Sequence, residues 1–150
     1  MITIEQIKSL RDKTSVSVMQ VKNALEEAMG DEEKAIEILK KQSGGIASKK
    51  SDRALGAGKI VSYIHGDGTI GVLLEMSSET DFVAGNDEFK NLMHNIAMHI
   101  AAMDSENKET ILSEPFIKDE SMTISNLIEQ AVQKFGERIE ISRFTRFSSR

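Results

Sequence analysis

Apolar positions over residues 1–43 recur at helical spacing in three short segments. Thr3 stands three residues before Gln6, the spacing at which a hydroxyl and a side-chain amide satisfy each other's free backbone donors, and Ile4, Ile7 and Leu10 follow on one face. Ser17 and Gln20 repeat that spacing ahead of a stripe made by Val18, Val21, Leu25 and Ala28, which Gly30 stops. Asp31 is placed to cap a third helix that turns Ala35, Ile38 and Leu39 inward and ends at the polar Ser43-Gly44-Gly45. The three segments predict a compact bundle with little core of its own, whose natural use is as a contact module tethered to something larger.

From Ser43 to Gly58 small residues alternate with Lys49, Lys50 and Arg53, which predicts a solvated connector. The apolar runs Ile60–Ile64 and Ile70–Met76 flank His65-Gly66-Asp67-Gly68, where glycine supplies the positive backbone angles of a tight turn, so two antiparallel strands are expected. Asn86 and Asp87 then open a wide helical stripe through Phe89, Leu92, Met93, Ile96, Ala97, Ile100 and Ala101, which should cover one face of the sheet. After Pro115 a second stripe runs through Ile124, Leu127, Ile128, Ala131, Val132 and Phe135 until Gly136 ends it. Arg138–Phe147 reads as a third strand. Ile139 and Ile141 share a face, but Phe144 and Phe147 cannot both continue it, since by strict alternation Phe144 falls on the other side, which calls for a bulge or an edge position. The expected architecture is α+β, a three-helix bundle over 1–43, a linker over 44–57, and a domain over 58–150 in which a small three-stranded antiparallel sheet packs with helices.

Composition narrows the function. The chain has no cysteine, which excludes disulfides, thiolate catalysis and thiolate zinc sites. No apolar stretch is long enough to cross a bilayer and no basic leader precedes an apolar run, so a cytoplasmic protein without a membrane role is expected. A formal net charge of -5 opposes general affinity for nucleic-acid backbones. No phosphate-binding glycine loop occurs, so no nucleotide or other cofactor is expected. His94 and His99 are five residues apart on the long helix, a spacing that does not suit a shared metal, and they read as buried or half-buried. With no catalytic set of Ser, His and carboxylate in view, the chain does not read as an enzyme.

One segment stands apart. Ser78-Glu79-Thr80-Asp81-Phe82-Val83-Ala84-Gly85-Asn86 inserts a single turn between a strand and a capped helix, and should project from the domain. On spacing alone, Ser78 and Asp81 form another capping pair and Phe82, at a helix start, reads as core. Glu79-Thr80-Asp81-Phe82-Val83-Ala84 followed by Asn86-Asp87-Glu88-Phe89 resembles the signature of translation elongation factor Ts. Leu10-Arg11-Asp12-Lys13-Thr14, Ala24-Leu25-Glu26-Glu27-Ala28 and Gly30-Asp31 resemble that family's N-terminal ubiquitin-associated-like bundle. Gly71-Val72-Leu73-Leu74-Glu75, Ile96-Ala97-Met98-His99-Ile100-Ala101, Glu114-Pro115-Phe116-Ile117-Lys118-Asp119 and Arg143-Phe144-Thr145-Arg146-Phe147 resemble its core.

The resemblance implies a guanine-nucleotide exchange factor that binds elongation factor Tu and promotes GDP release. It places the partner contacts at Thr80, Asp81, Phe82 and Val83 of the tip, at Val18, Met19 and Lys22 of the bundle, and at His65 of the hairpin. In the turn before the second helix, Ser15 and Ser17 stand where the family usually has glycine. Longer members carry two related cores, whereas this chain has one, with a short connection from Met103 to Glu114. That difference implies a noncovalent homodimer whose paired cores complete the contact surface. Two readings independent of the resemblance stay open. The bundle could serve as a general protein-interaction module on an α+β scaffold, or Lys40, Lys41, Lys49, Lys50 and Arg53, with the C-terminal arginines, could meet the ribosome or RNA.

Overall fold

The computed structural model describes residues 1–14 and 16–149. In chain order the elements are α1 (Ile4–Thr14), α2 (Val18–Glu27), α3 (Glu32–Lys49), β1 (Ala57–His65), β2 (Ile70–Ser78), α4 (Asp81–Ala84), α5 (Asp87–Met103), α6 (Lys108–Ser113), β3 (Pro115–Phe116), β4 (Asp119–Thr123), α7 (Ile124–Phe135) and β5 (Glu140–Ser148). The class is α+β, as expected.

Local hydrogen bonding builds the bundle. Thr3 and Gln6 form the reciprocal cap of α1, each backbone N–H donating to the other side chain at 3.1 Å. Ser17 accepts from Gln20 N to cap α2, and Asp31 accepts from Lys34 N to cap α3. After α2 the chain reverses through Met29 and Gly30, both at positive φ, with Gly30 N–H donating to Leu25 O at 2.8 Å. Leu10, Val16, Val21, Ala24, Leu25, Ala28, Ala35 and Leu39 form a core separate from that of the rest of the chain.

The third helix corrects the sequence reading. It does not stop at Ser43-Gly44-Gly45 but continues to Lys49, so most of the expected linker's first half is helical. Two interior glycines cost roughly 1 kcal/mol each relative to alanine, and contacts with α7 offset that cost. Ser43 is buried and donates its hydroxyl to Gln133 Oε1. A Cβ on Gly44 would lie 2.6 Å from Glu129 Oε2, the movable end of a long side chain on α7. The remainder of the connector is also held in place. Arg53 meets Glu79, and its carbonyl accepts from the Arg138 guanidinium at 2.6 Å.

β1 and β2 form the expected hairpin, with His65 opposite Ile70 and Ala57 opposite Ser78. Gly66 and Gly68 take positive φ in its turn. β5 pairs with the other edge of β2, giving the order β1-β2-β5. The bulge inferred from broken parity is present. Glu75 pairs with Arg143 and Met76 with Ile141, which leaves Ser142 as the extra residue. Ile141 therefore faces the core, while Phe147 faces outward.

Val72, Leu74 and Met76 point from β2 to the helical side, where Phe89, Met93, Ile96, Ala97 and Ile100 of α5 cover them. Burial of each large side chain in this layer contributes about 1.5–3 kcal/mol. α7 adds Ile124, Ile128, Ala131 and Val132, begins at a capping box between Thr123 and Asn126, and ends at left-handed Gly136. Between α5 and α7 the chain holds two features that the sequence reading left as plain connection: α6, with Ile111 buried, and the small β3–β4 pair.

The histidines separate. His94 is exposed, contrary to expectation, because it lies on the flank of α5 and meets Tyr63 edge-on at 5.7 Å. His99 is fully buried. Ile117 N–H donates to its Nδ1 at 3.3 Å, so the ring proton sits on Nε2, which donates to Glu114 Oε1 at 2.9 Å. Ser105 Oγ closes this cluster on both Glu114 oxygens at 2.7 Å. Among the described residues no helix is long and apolar enough to cross a membrane.

Candidate functional site

The projecting turn is built from both ends. β2 finishes at Ser78, which is buried and donates its hydroxyl to Thr80 O at 3.0 Å. Ser78 therefore does not cap α4, as its spacing to Asp81 had indicated. Thr80 does so, its Oγ1 accepting from Val83 N at 3.4 Å. The turn closes when Gly85 N donates to Asp81 O and Asn86 N to Val83 O, and the Asn86 side chain then caps α5 by accepting from Glu88 N. α4 is thus held rigidly between the sheet and the long helix.

Its four residues divide by side. Val83 is 4% exposed and Ala84 is buried, both within the main core. The helical rotation that buries them turns Phe82 outward, and Phe82 is 86% exposed. The local-spacing expectation of a core phenylalanine is therefore reversed. The resemblance groups Val83 with the contact residues; its side chain is the anchor under the turn, and Thr80, Asp81 and Phe82 carry the outer surface. Asp81 makes no side-chain hydrogen bond or ion pair among the described residues, so an unpartnered carboxylate sits beside an unpartnered ring.

Sequence reasoning missed the residue that ties this turn down. Glu137 follows the left-handed Gly136 at the end of α7. Its Oε1 accepts from Glu79 N at 3.1 Å and from Thr80 N at 3.0 Å, and its Oε2 accepts from Thr80 Oγ1 at 2.7 Å. Glu79 returns the exchange by accepting from Arg138 N. Nothing in the local pattern marks Glu137, because its partners lie 57 and 58 residues earlier.

The bundle presents a second surface. Val18, Met19 and Lys22 are exposed on the first turns of α2, Met19 at 72%. Ser15 lies outside the described residues. Ser17 sits at φ -63 and ψ 152, an extended conformation open to any L-residue, so serine replaces glycine there without strain and caps the helix as well. An opening of about 290 Å³ separates this turn from α7 and is lined by Arg11, Gln20, Gln133 and Lys134, among others. Lys134 also pairs with Glu88 at the start of α5. The bundle turn and the Phe82 tip therefore border the same end of α7.

His65 is not brought to that region. It is exposed at the hairpin turn, bonded at 2.9 Å to the Tyr63 hydroxyl. The tip follows the far end of the same hairpin, eight ladder steps away, or about 27 Å at ~3.4 Å per residue. An opening of about 770 Å³ lies between the bundle and Ser121 and includes none of these residues. Among the described residues no cluster of His, Cys, Asp or Glu is grouped to hold a metal ion. The arrangement offers contact: burial of the Phe82 ring against another surface is worth about 1.5–3 kcal/mol.

The family model described as Elongation factor TS matches residues 79–150, a span that includes the tip, Glu137 and β5. Elongation factor Ts of Fervidobacterium nodosum is 39% identical over 190 residues, covering 97% of this chain and 96% of that protein. Elongation factor Ts of Acetivibrio thermocellus is 37% identical, covering 98% of this chain and 89% of that protein. That of Nostoc sp. is 41% identical over 147 residues, which is 98% of this chain but 46% of that protein.

Proposed function

The chain belongs to the elongation factor Ts family, and from that premise we propose that it accelerates GDP release from elongation factor Tu during translation elongation in the cytoplasm. The observation that carries this reading is the exposed Phe82, set beside the unpartnered Asp81 on a turn fixed at both ends. An exchange factor makes no bond. It spends contact energy on a partner conformation that holds nucleotide poorly, and the factor by which it weakens GDP is the factor by which GDP weakens its own binding.

In this reading Phe82 enters an apolar site on the partner and Asp81 brings negative charge toward the nucleotide's phosphate and metal region. Thr80 flanks them and Val83 supports the turn from below. Val18, Met19 and Lys22 form a second contact, which the shared border at α7 allows one partner domain to reach together with the tip. His65 forms a third, about 27 Å from the first, so it meets a different part of the partner. The two separate hydrophobic cores support a division into a ubiquitin-associated-like bundle and an α+β domain, with α3 as the bridge between them.

We also propose that the chain works as a noncovalent homodimer. Ile60, Ile64, Leu73 and Phe147 share the sheet face opposite α5, and all four are exposed. A second copy laid on that face would bury them and supply a second set of hairpin and tip.

The test is release of a fluorescent GDP from elongation factor Tu, with the intact protein and with Phe82→Ala. The expected result is acceleration that the substitution largely removes. An intact protein that leaves release unchanged at all concentrations would sink the exchange reading.

A further inference from the structure

We infer that Glu137 is the positioning residue of the Asp81–Phe82 tip, an inference that rests on the exchange reading for its functional consequence but not for its structural one. A four-residue helix does not hold itself together, because a single turn gains too few hydrogen bonds for the dihedrals it fixes. α4 therefore depends on its ends. Its C-terminal end is continuous with the cap of α5, and its N-terminal end depends on the direction in which Glu79 and Thr80 enter.

One carboxylate sets that direction. Glu137 accepts from two successive backbone N–H groups, Glu79 and Thr80, and from the Thr80 hydroxyl. The last of these matters twice, since donation to Glu137 turns the Thr80 oxygen's lone pairs toward Val83 N, the cap of α4. Glu137 is itself placed by left-handed Gly136 and by Arg138, whose backbone N–H returns to Glu79. The tip is thus registered against the α7–β5 junction and not only against its own strand. Preorganisation of this kind spares a binding loop the entropy of being ordered on contact, so its loss shows as weaker binding by a protein that is still folded.

The experiment compares Glu137→Ala with Glu137→Gln, and adds Glu137→Asp as a second disruptive variant should the alanine form fail to fold. Glutamine keeps the shape and one oxygen that can accept both N–H groups; aspartate keeps the charge but loses the reach. The first readout needs no partner: amide hydrogen exchange at Glu79 and Thr80 should speed up in Glu137→Ala and Glu137→Asp and stay near the native rate in Glu137→Gln. The second is the concentration dependence of GDP release, normalised to folded protein. Its half-saturating concentration should rise about tenfold in Glu137→Ala, the factor matching the low end of a charge-assisted hydrogen bond's net worth, with the rate at saturation retained and a clearly smaller rise in Glu137→Gln, which keeps the two N–H contacts but not the charge or the acceptor for the Thr80 hydroxyl. Native protection of both amides in a folded Glu137→Ala or Glu137→Asp protein would overturn the inference, as would equal losses in the alanine and glutamine forms. If the wild-type protein does not accelerate release, the exchange reading fails by itself, and hydrogen exchange still decides the role of Glu137.

Discussion

Phe82→Ala is the perturbation for which the structure separates stability from function most sharply. The ring is 86% exposed, so its removal takes away almost no buried area and the free protein should change in stability by no more than about 0.5 kcal/mol. The adjacent residue behaves oppositely. Val83 is 4% exposed, and Val83→Ala deletes buried carbon worth about 2 kcal/mol, which for a domain of this length lowers the melting temperature by roughly 4–8 °C. On the partner the order reverses. A phenylalanine buried at a contact contributes about 1.5–3 kcal/mol, so Phe82→Ala should weaken productive binding by roughly 10- to 100-fold. Differential scanning calorimetry of the free variants and stopped-flow release of fluorescent GDP, run on the same preparations, measure both halves. A Phe82→Ala protein that melts as early as Val83→Ala would mean that the ring belongs to the core. One that melts normally and still exchanges at the native rate would refute its assignment as the working tip.

Further outcomes follow from other parts of the structure. Gly45 lies inside α3 with open space around its Cβ position, so Gly45→Ala should stabilise the protein by about 0.5–1 kcal/mol in chemical denaturation; no gain would argue that α3 ends earlier. His99→Ala leaves a cavity and takes from the Glu114 carboxylate one of its two partners, and should cost about 2–4 kcal/mol by the same measurement. Thr123→Ala removes the cap of α7 and should cost about 1 kcal/mol, without altering the maximal exchange rate. Leu73→Asp places a charge at the centre of the exposed sheet face and should abolish self-association in sedimentation velocity; a wild-type chain that stays monomeric at high concentration would end the dimer proposal.

What could be read from the sequence was what neighbours along the chain decide. The caps at Thr3, Ser17, Asp31 and Asn86, the stops at Gly30 and Gly136, and the glycine turn of the hairpin all involve groups within four or five residues of one another. Even the bulge at Ser142 was legible, because the broken alternation between Ile141 and Phe144 is itself a local signal. The tip segment was visible for the same reason: a single turn has to fit between a strand and a cap.

Tertiary structure decided the rest. α3 runs through two glycines because α7, some ninety residues later, packs on that stretch and offers Gln133 to Ser43, and propensity within α3 carries no trace of it. α6 and the β3–β4 pair are too short to show a period, and exist because Ile111 and Phe116 find the main core. The same limit hid the difference between His94 and His99, which share a helix but meet solvent and Glu114 respectively. At the tip, sequence alone marked which residues project as a group, but only packing decided that Val83 points in and Phe82 out, and only the close of α7 against β2 brought Glu137 to Thr80. The physical reason is common to all of these. A periodic pattern records which side of an element is apolar, whereas the identity of what lies across from it is fixed by contacts between distant segments, which no local pattern encodes.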